Sequence, residues 1–395
     1  MQERNKLINQ FSVILMIISL TALFFFAMFS LFAPDCEISL TENRTLAKYP
    51  SFSLRLAQDG TWEKEYETYS LDQFYFRRFA VQSYFKVLDA LGVKERNGYV
   101  RGLEDCILKV TDPPHDFTEE QIKEYSSIRI APLKTLRTAA DDAGANLISL
   151  QIPHKNSFFS NAYPRYYTYD QALENARQEY LNQLLDENGI PYLDVSDLLL
   201  NVHRNDYVYY YTDNHWTFRG AYYAYSELLN MLNEGYGESL FFPDWETCQL
   251  HHLDGRTVGR YLSKYGDSGI IDRDFTEFIL PEVMPEYTMY YNGERTDEGI
   301  IGRRGNGYEI FLNGDRAQTV IKTNRPDLPS ILYIGYSYKN ALAAMSVYSF
   351  DEVHAIDPRY YTGNISDYIK NCGAEYVVVV RNDIFEGNTE NHAII

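Results

Sequence analysis

Two short segments, more than a hundred residues apart, hold residue types that could together perform nucleophilic chemistry. The first is Asp213-Asn214-His215-Trp216-Thr217. In an extended segment, residues i and i+2 project to the same side, so Asp213 is expected beside the imidazole of His215. A carboxylate there holds one ring nitrogen protonated and leaves the other as a base. The plainer alternative is a loop in which Asp213 caps the following helix and His215 is merely exposed. The second segment is Ile331-Leu332-Tyr333-Ile334-Gly335-Tyr336-Ser337-Tyr338-Lys339-Asn340. An apolar strand entering a helix through Gly and Ser presents a hydroxyl at the carboxyl edge of a parallel sheet, where open α/β sheets put their sites. Unpaired N–H groups at the helix start suit a developing oxyanion. Alternatively, Ser337 simply N-caps that helix. Taken together, the segments supply what a serine nucleophile needs: a base, and a group that orients the base.

The elements that must bring them together are legible as an alternation. Thr118 with Gln121 reads as a capping box opening a helix to about residue 143, with Pro132 expected to kink or split it. Strands are expected at 146–153 and 190–195, around a helix at 170–187 stopped by Gly189. Residues 220–233 show amphipathic spacing, with Ala221, Tyr225, Leu228, Leu229 and Leu232 on one face. Residues 236–329 break the rhythm and read as a strand-rich insertion. Alternation then resumes, with strands at 330–335, 353–356 and 376–380 and helices from about 338 and near 365–371. Continuous Val/Ile/Leu strands separated by helices indicate an α/β fold, a parallel sheet flanked by helices. The implied organisation is 1–10 cytoplasmic, 11–33 transmembrane, 34–115 juxtamembrane, 116–235 first part of the core, 236–329 insertion and 330–395 second part of the core.

The membrane assignment rests on residues 11–33, which are uncharged and mostly apolar. At about 1.5 Å per residue such a helix reaches roughly 35 Å, enough to span hydrocarbon. Arg4 and Lys6 before it, with Asp35 and Glu37 after it, place the N-terminus inside and the rest outside. A cleaved signal peptide would have a shorter apolar region and an Ala-x-Ala-like end, whereas Pro34 directly follows Ala33. The chain has 395 residues and a formal charge of −19, which argues against nucleic acid as a partner. Its 45% apolar and 15% aromatic content argues against disorder. Cys36, Cys106, Cys248 and Cys372 fit no metal spacing, although a Cys106–Cys248 or Cys248–Cys372 bridge is open. His251-His252 with Asp254 lacks a suitably spaced third ligand, so neither metal nor cofactor is expected. Asn43 and Asn364 begin two sequons.

The segment from Asp213 to Thr217, with Gly220-Ala221-Tyr222-Tyr223-Ala224-Tyr225 after it, resembles the signature of the DHHW-motif proteins. These belong with the SGNH-hydrolase-like proteins, which include alginate O-acetylation enzymes of the AlgJ and AlgX type. Glu42-Asn43-Arg44-Thr45-Leu46, Asp72-Gln73-Phe74 with Arg77, Asn97-Gly98-Tyr99, Phe311-Leu312-Asn313-Gly314 and Ile356-Asp357-Pro358-Arg359-Tyr360-Tyr361 extend the resemblance along most of the chain. It implies a permuted SGNH-hydrolase-like fold with Asp213, His215 and Ser337 as a Ser-His-Asp triad. Two departures stand out: Asn214 replaces a His, and Tyr336 replaces the Asp of the common Gly-Asp-Ser.

The resemblance further implies O-acetylation of an exported or cell-envelope polysaccharide, beside a multi-spanning membrane O-acyltransferase. An acetyl-esterase using the same triad, and a non-catalytic polysaccharide-binding scaffold, are the alternatives. Lys155, placed where related proteins have Pro-x-Lys, is expected either to polarise an acyl carbonyl or to sit on the surface. Arg359 either orients substrate or forms a structural ion pair. Asn340 either helps the oxyanion hole or bonds locally. Trp216 and Tyr338 either stack on a sugar ring or pack in the core.

Overall fold

The computed structural model describes residues 2–382 apart from 31, 40, 41, 43, 111–117, 303, 304 and 306. Asn43 of the first sequon and the expected boundary at 115/116 lie outside the described residues. The chain forms two compact units, Met1–Asn97 with Leu262–Asp272, and Gly98–Tyr261 with Arg273–Ile395.

In the first unit, α1 (Gln2–Ser30) carries a stretch, Gln10–Ser30, long and apolar enough to cross a bilayer, with mean hydropathy 2.5. That is compatible with a single-pass anchor. The helix ends earlier than the expected 33. Ser30 Oγ turns back to the Phe26 carbonyl at 2.9 Å, and Pro34 biases Ala33 away from helical backbone. Beyond it, helices Thr61–Asp72 and Arg77–Ala90 bring the polar motifs of this region onto one another. Arg44 Nη1 donates to Asp72 Oδ2 at 2.8 Å, Arg77 Nη2 donates to Glu42 Oε1 at 2.8 Å, and the Ala47 N–H donates to Asp72 Oδ2 at 2.9 Å.

The second unit holds one mixed sheet. Its strands in chain order are β1 (Asn146–Gln151), β2 (Tyr192–Asp194), β3 (Thr288–Tyr291), β4 (Glu294–Thr296), β5 (Gln318–Lys322), β6 (Ile331–Gly335), β7 (Glu352–Ile356) and β8 (Tyr376–Arg381). Across the sheet they run β4-β3-β5-β7-β6-β8-β1-β2. From β7 to β2 all pairings are parallel, and from β4 to β7 all are antiparallel. Within the stretch 236–329, the strands Gln249–His252 and Glu277–Leu280 pair with each other apart from this sheet. Three others complete the sheet's antiparallel side, because each short strand can satisfy its backbone groups only by pairing with a neighbour.

The period of two decides which helices cover which face. Ile148, Leu150, Ile331, Tyr333, Val378 and Val380 join the cluster under α4 (Phe218–Tyr236) and α5 (Lys339–Ser346). Leu147, Leu332, Ile334, Val377 and Val379 join the opposite cluster, under α2 (Glu119–Ala143), α3 (Gln171–Glu187) and α6 (Ile365–Cys372). β6 and β8 are buried along their whole length, which is why they read as continuous apolar runs. The Thr118–Gln121 capping box forms as expected, but α2 is not split at Pro132. Pro132 leaves the Ile128 carbonyl without its helical donor; Ile128 is exposed, so water can serve that carbonyl. Asn364 of the second sequon N-caps α6, accepting from the Asp367 N–H at 3.0 Å. All four cysteines are unpaired. His251 stacks on Phe278 with centroids 5.1 Å apart, and His252 Nδ1 lies 3.8 Å from Glu277.

Candidate active site

β6 delivers Ser337. Gly335 ends the strand where a Cβ would lie 2.7 Å from the Val380 carbonyl oxygen on β8, so the backbones can approach this closely only without a side chain there. The chain then turns, with the N–H of Lys339 donating to the Tyr336 carbonyl at 3.1 Å and that of Asn340 to the Ser337 carbonyl at 2.9 Å. The N-cap of α5 is Tyr338, and no side chain caps it. Ser337 is thus not spent on capping. Its Oγ lies 2.5 Å from His215 Nε2.

The His215 segment is a bend rather than the extended strand expected. The flanking backbone is tied by a bridge between Tyr209 and Trp216 and by the Thr217 N–H donating to the Val208 carbonyl at 2.9 Å. Thr217, not Asp213, caps α4, accepting from the Gly220 N–H at 3.2 Å. Asp213 is left for His215. One oxygen accepts from the His215 backbone N–H at 2.9 Å and lies 2.5 Å from His215 Nδ1. This short local ring holds the imidazole with Nε2 toward Ser337. The other oxygen accepts from the Arg260 backbone N–H at 2.6 Å. Burial alone would raise the Asp213 carboxyl. The charge and hydrogen bonds of His215, joined by the Arg260 N–H, outweigh it and hold the carboxyl well below the usual range.

Several supporting residues carry no local sequence signal. Asp274, buried, accepts from the Tyr211 N–H and the Thr212 N–H at 2.7 Å each, pinning the peptides just before Asp213. Gly259 donates its N–H to Thr212 Oγ1 at 3.1 Å. The Tyr308 ring lies flat on His215, with centroids 4.1 Å apart and planes 7° apart. Its hydroxyl accepts from Trp216 Nε1 at 2.9 Å and donates to the Tyr338 carbonyl at 2.8 Å. These partners come from chain distances of about 45 to 95 residues. Of them, only Tyr308 has a pointer, since it precedes the Phe311-to-Gly314 motif.

The remaining expected site residues make no direct contact with the Ser337, His215 and Asp213 hydrogen-bond chain, apart from the aromatic packing of Tyr338 on His215. Trp216 is wholly buried and Tyr338 nearly so, so both pack beneath the site and neither can face a sugar. Lys155 is neither a surface residue nor a carbonyl-polarising one. It is fully buried, its Nζ donates to the Tyr211 carbonyl at 2.6 Å, and it lies 5.0 Å from the Tyr261 ring centroid. Burial pushes its amine down. The Asn340 amide is occupied, with Nδ2 on Asp315 at 3.0 Å and Oδ1 taking Lys339 Nζ at 3.1 Å, so it does not point to an oxyanion. Among the described residues the N–H groups of Ser337 and Tyr338 take no part in the turn's hydrogen bonds, so they are the donors placed for that role. Arg359 forms a two-pronged pair with Asp357, at 2.9 and 2.5 Å, and reaches Asp315 at 2.7 Å. Among the described residues no cluster of His, Cys, Asp and Glu could hold a metal ion.

Two family models match the sequence. Residues 115–241 match the SGNH hydrolase-like domain of acetyltransferase AlgX, and residues 186–356 match the DHHW protein family. No curated protein matches the chain. Among solved structures, a DHHW family protein from Eubacterium siraeum DSM 15702 is similar at a TM-score of 0.54 and 19% identity, over 72% of this chain and 91% of that one. PatB1 of Bacillus cereus is similar at 0.54 and 17% identity, over 71% and 94%. The same protein with a sulfonyl adduct gives 0.51 and 16%, over 72% and 93%. At these identities the likeness is one of fold. The chain is thus similar over residues 115–241 to the AlgX SGNH hydrolase-like domain and over residues 186–356 to the DHHW proteins, and it shares their mixed α/β fold.

Proposed function

We propose that the chain is a membrane-anchored, extracytoplasmic O-acyltransferase that acetylates a polysaccharide through Ser337, His215 and Asp213. The observation that carries this reading is the unbroken chain Ser337 Oγ, His215 Nε2, His215 Nδ1, Asp213, with 2.5 Å at each side-chain contact. Ser337 Oγ attacks the carbonyl carbon of an acyl donor while its proton passes to His215 Nε2. The tetrahedral oxyanion sits at the N–H groups of Ser337 and Tyr338. The donor's leaving group departs with the proton from His215, leaving an ester on Ser337. A sugar hydroxyl then gives its proton to His215 and attacks that ester, and collapse releases the acylated sugar and free Ser337. Asp213 stabilises the imidazolium formed in each half. The acetyltransferase named in the matching domain model supports transfer of an acetyl group, and the apolar α1 supports anchoring. A multi-spanning membrane acyltransferase as donor partner completes the scheme.

The test is to incubate the full chain in detergent with p-nitrophenyl acetate and to look for acetyl-Ser337 by mass spectrometry. Wild type should carry the mark and Ser337→Ala should not; equal turnover of the ester by both proteins would end the hypothesis. A sulfonyl fluoride should block the same serine.

A further inference from the structure

With Trp216 and Tyr338 buried, a sugar acceptor needs another surface beside Ser337, and we infer that Tyr336, Arg359 and Tyr360 form it. This rests on the acyl-transfer reading above and gives its acceptor a place and a charge class. Tyr336, the residue that departs from the family's Asp, adjoins the nucleophile in the chain. The Arg359 guanidinium carbon lies 4.7 Å from the Tyr336 ring centroid and 5.2 Å from that of Tyr360. Tyr360 is 54% exposed. Arg359 is fixed from behind by Asp357, which is wholly buried, and by Asp315. Its Nη1 group makes no hydrogen bond among the described residues. Asp315 also bonds Asn340, one turn after Ser337, so the assembly belongs to the same edge of the sheet. Two aromatic rings beside the open Nη1 of a guanidinium are the combination that recognises a sugar, with ring faces for C–H groups and N–H donors for hydroxyls.

The charges select within that class. Asp315 and Asp357 contribute −2, and Arg359 with Lys339 contributes +2 if Lys339 is charged. The sum is 0, and burial disfavours the charged form of Lys339, so the group carries no net positive charge. Arg359 is thus already neutralised and cannot draw in a polyanion. The chain's formal charge of −19 acts in the same direction. The acceptor is a neutral glycan.

The experiment forms acetyl-Ser337 on the full chain with p-nitrophenyl acetate and follows its loss with added oligosaccharides. Cellohexaose, maltohexaose and chitohexaose are the neutral probes, and hexagalacturonate is the charged one. At least one neutral probe should accelerate deacylation saturably and emerge acetylated, while the uronate should not. Tyr360→Ala should raise the acceptor KM about fivefold to tenfold, the value of one aromatic contact. Tyr360→Phe should restore it, and Tyr166→Ala, an exposed tyrosine elsewhere, should match wild type. Acetyl-Ser337 that forms but is accelerated by no neutral probe, or better by the uronate, overturns this inference and leaves the acyl-transfer reading standing. So does an unchanged acceptor KM in Tyr360→Ala. Absence of acetyl-Ser337 from wild type overturns both.

Discussion

Gly259→Ala isolates the support of the Ser-His-Asp array from its chemistry, because Gly259 touches none of the three side chains. A Cβ built there would lie 2.4 Å from the Asp213 backbone nitrogen and 2.4 Å from the Thr212 carbonyl carbon and oxygen. Ordinary contact begins near 3.4 Å, so the two backbones must part by about 1 Å, and neither is a flexible side-chain end. The next residue donates the 2.6 Å hydrogen bond to Asp213, and Gly259 itself holds Thr212. A displacement of about 1 Å at the orienting carboxylate should lower kcat roughly 100-fold, or about 2.7 kcal/mol of barrier, with little change in KM. Overpacking should cost about 1–3 kcal/mol of folding stability as well. Gly235→Ala is the matched control. It lies within α4 with nothing in the way of a Cβ, so it should leave activity unchanged and add up to about 1 kcal/mol of stability. Acetylation rates of Ser337 and thermal unfolding of the three proteins make the comparison. A Gly259→Ala protein that acetylates within threefold of wild type refutes the claim that this backbone contact positions Asp213.

Three further outcomes follow from buried or paired groups. Lys155→Met replaces a buried amine by an isosteric apolar chain; stability should change by about 1 kcal/mol or less, since lost desolvation offsets the lost bond, while kcat falls about tenfold or more because the Tyr211 carbonyl is released two residues from Asp213. Unaltered kinetics would make Lys155 a packing residue only. Tyr308→Phe keeps the ring on His215 but strips the hydroxyl from Trp216 Nε1, so it should cost about 1–3 kcal/mol of stability and less activity than Tyr308→Ala, as melting curves beside rate measurements can show. In the first unit, Arg44 above all, against the effect of burial, and with help from the Ala47 N–H and Arg77, holds the Asp72 carboxyl down at about 2. A depressed carboxylate stabilises the fold above its unfolded value of about 3.9 and loses that contribution as pH falls toward 2. Asp72→Asn should therefore destabilise by about 1 kcal/mol at pH 7, a figure kept small because Arg44 is 40% exposed. The gap between the two proteins should close between pH 4 and 2 in chemical denaturation.

Legibility followed the length scale of each interaction. The capping box at Thr118, the strands expected at 330–335 and 376–380, and the apolar face of α4 all arise from neighbours within a few residues, and pattern alone exposed them to within a residue. Where α1 ends, and whether Pro132 splits α2 or leaves it one helix, could not be read from pattern, because each depends on what lies around a single carbonyl. The aromatics stayed open between sugar stacking and core packing, because composition counts tyrosines but does not say which rings find a core. Thus Trp216 and Tyr338, beside the motif residues, are buried under the site, while Tyr360 stands in solvent. The stretch 236–329 looked foreign to the core, since short strands carry weak periodicity until a sheet edge accepts them.

By itself the sequence determined the apolar N-terminal helix, the α/β alternation, and the residue types Asp213, His215 and Ser337 at the ends of their elements, because these depend on local period and backbone preference. Only the tertiary structure decided that β6 and the 208–217 bend meet, that Asp213 turns one oxygen to His215 and the other to Arg260, and that Tyr308, Gly259 and Asp274 hold the arrangement. The physical reason is that the site is made of hydrogen bonds between segments about 45 to 120 residues apart. Their geometry exists only once the fold has brought those donor and acceptor atoms to 2.5–3.1 Å from one another.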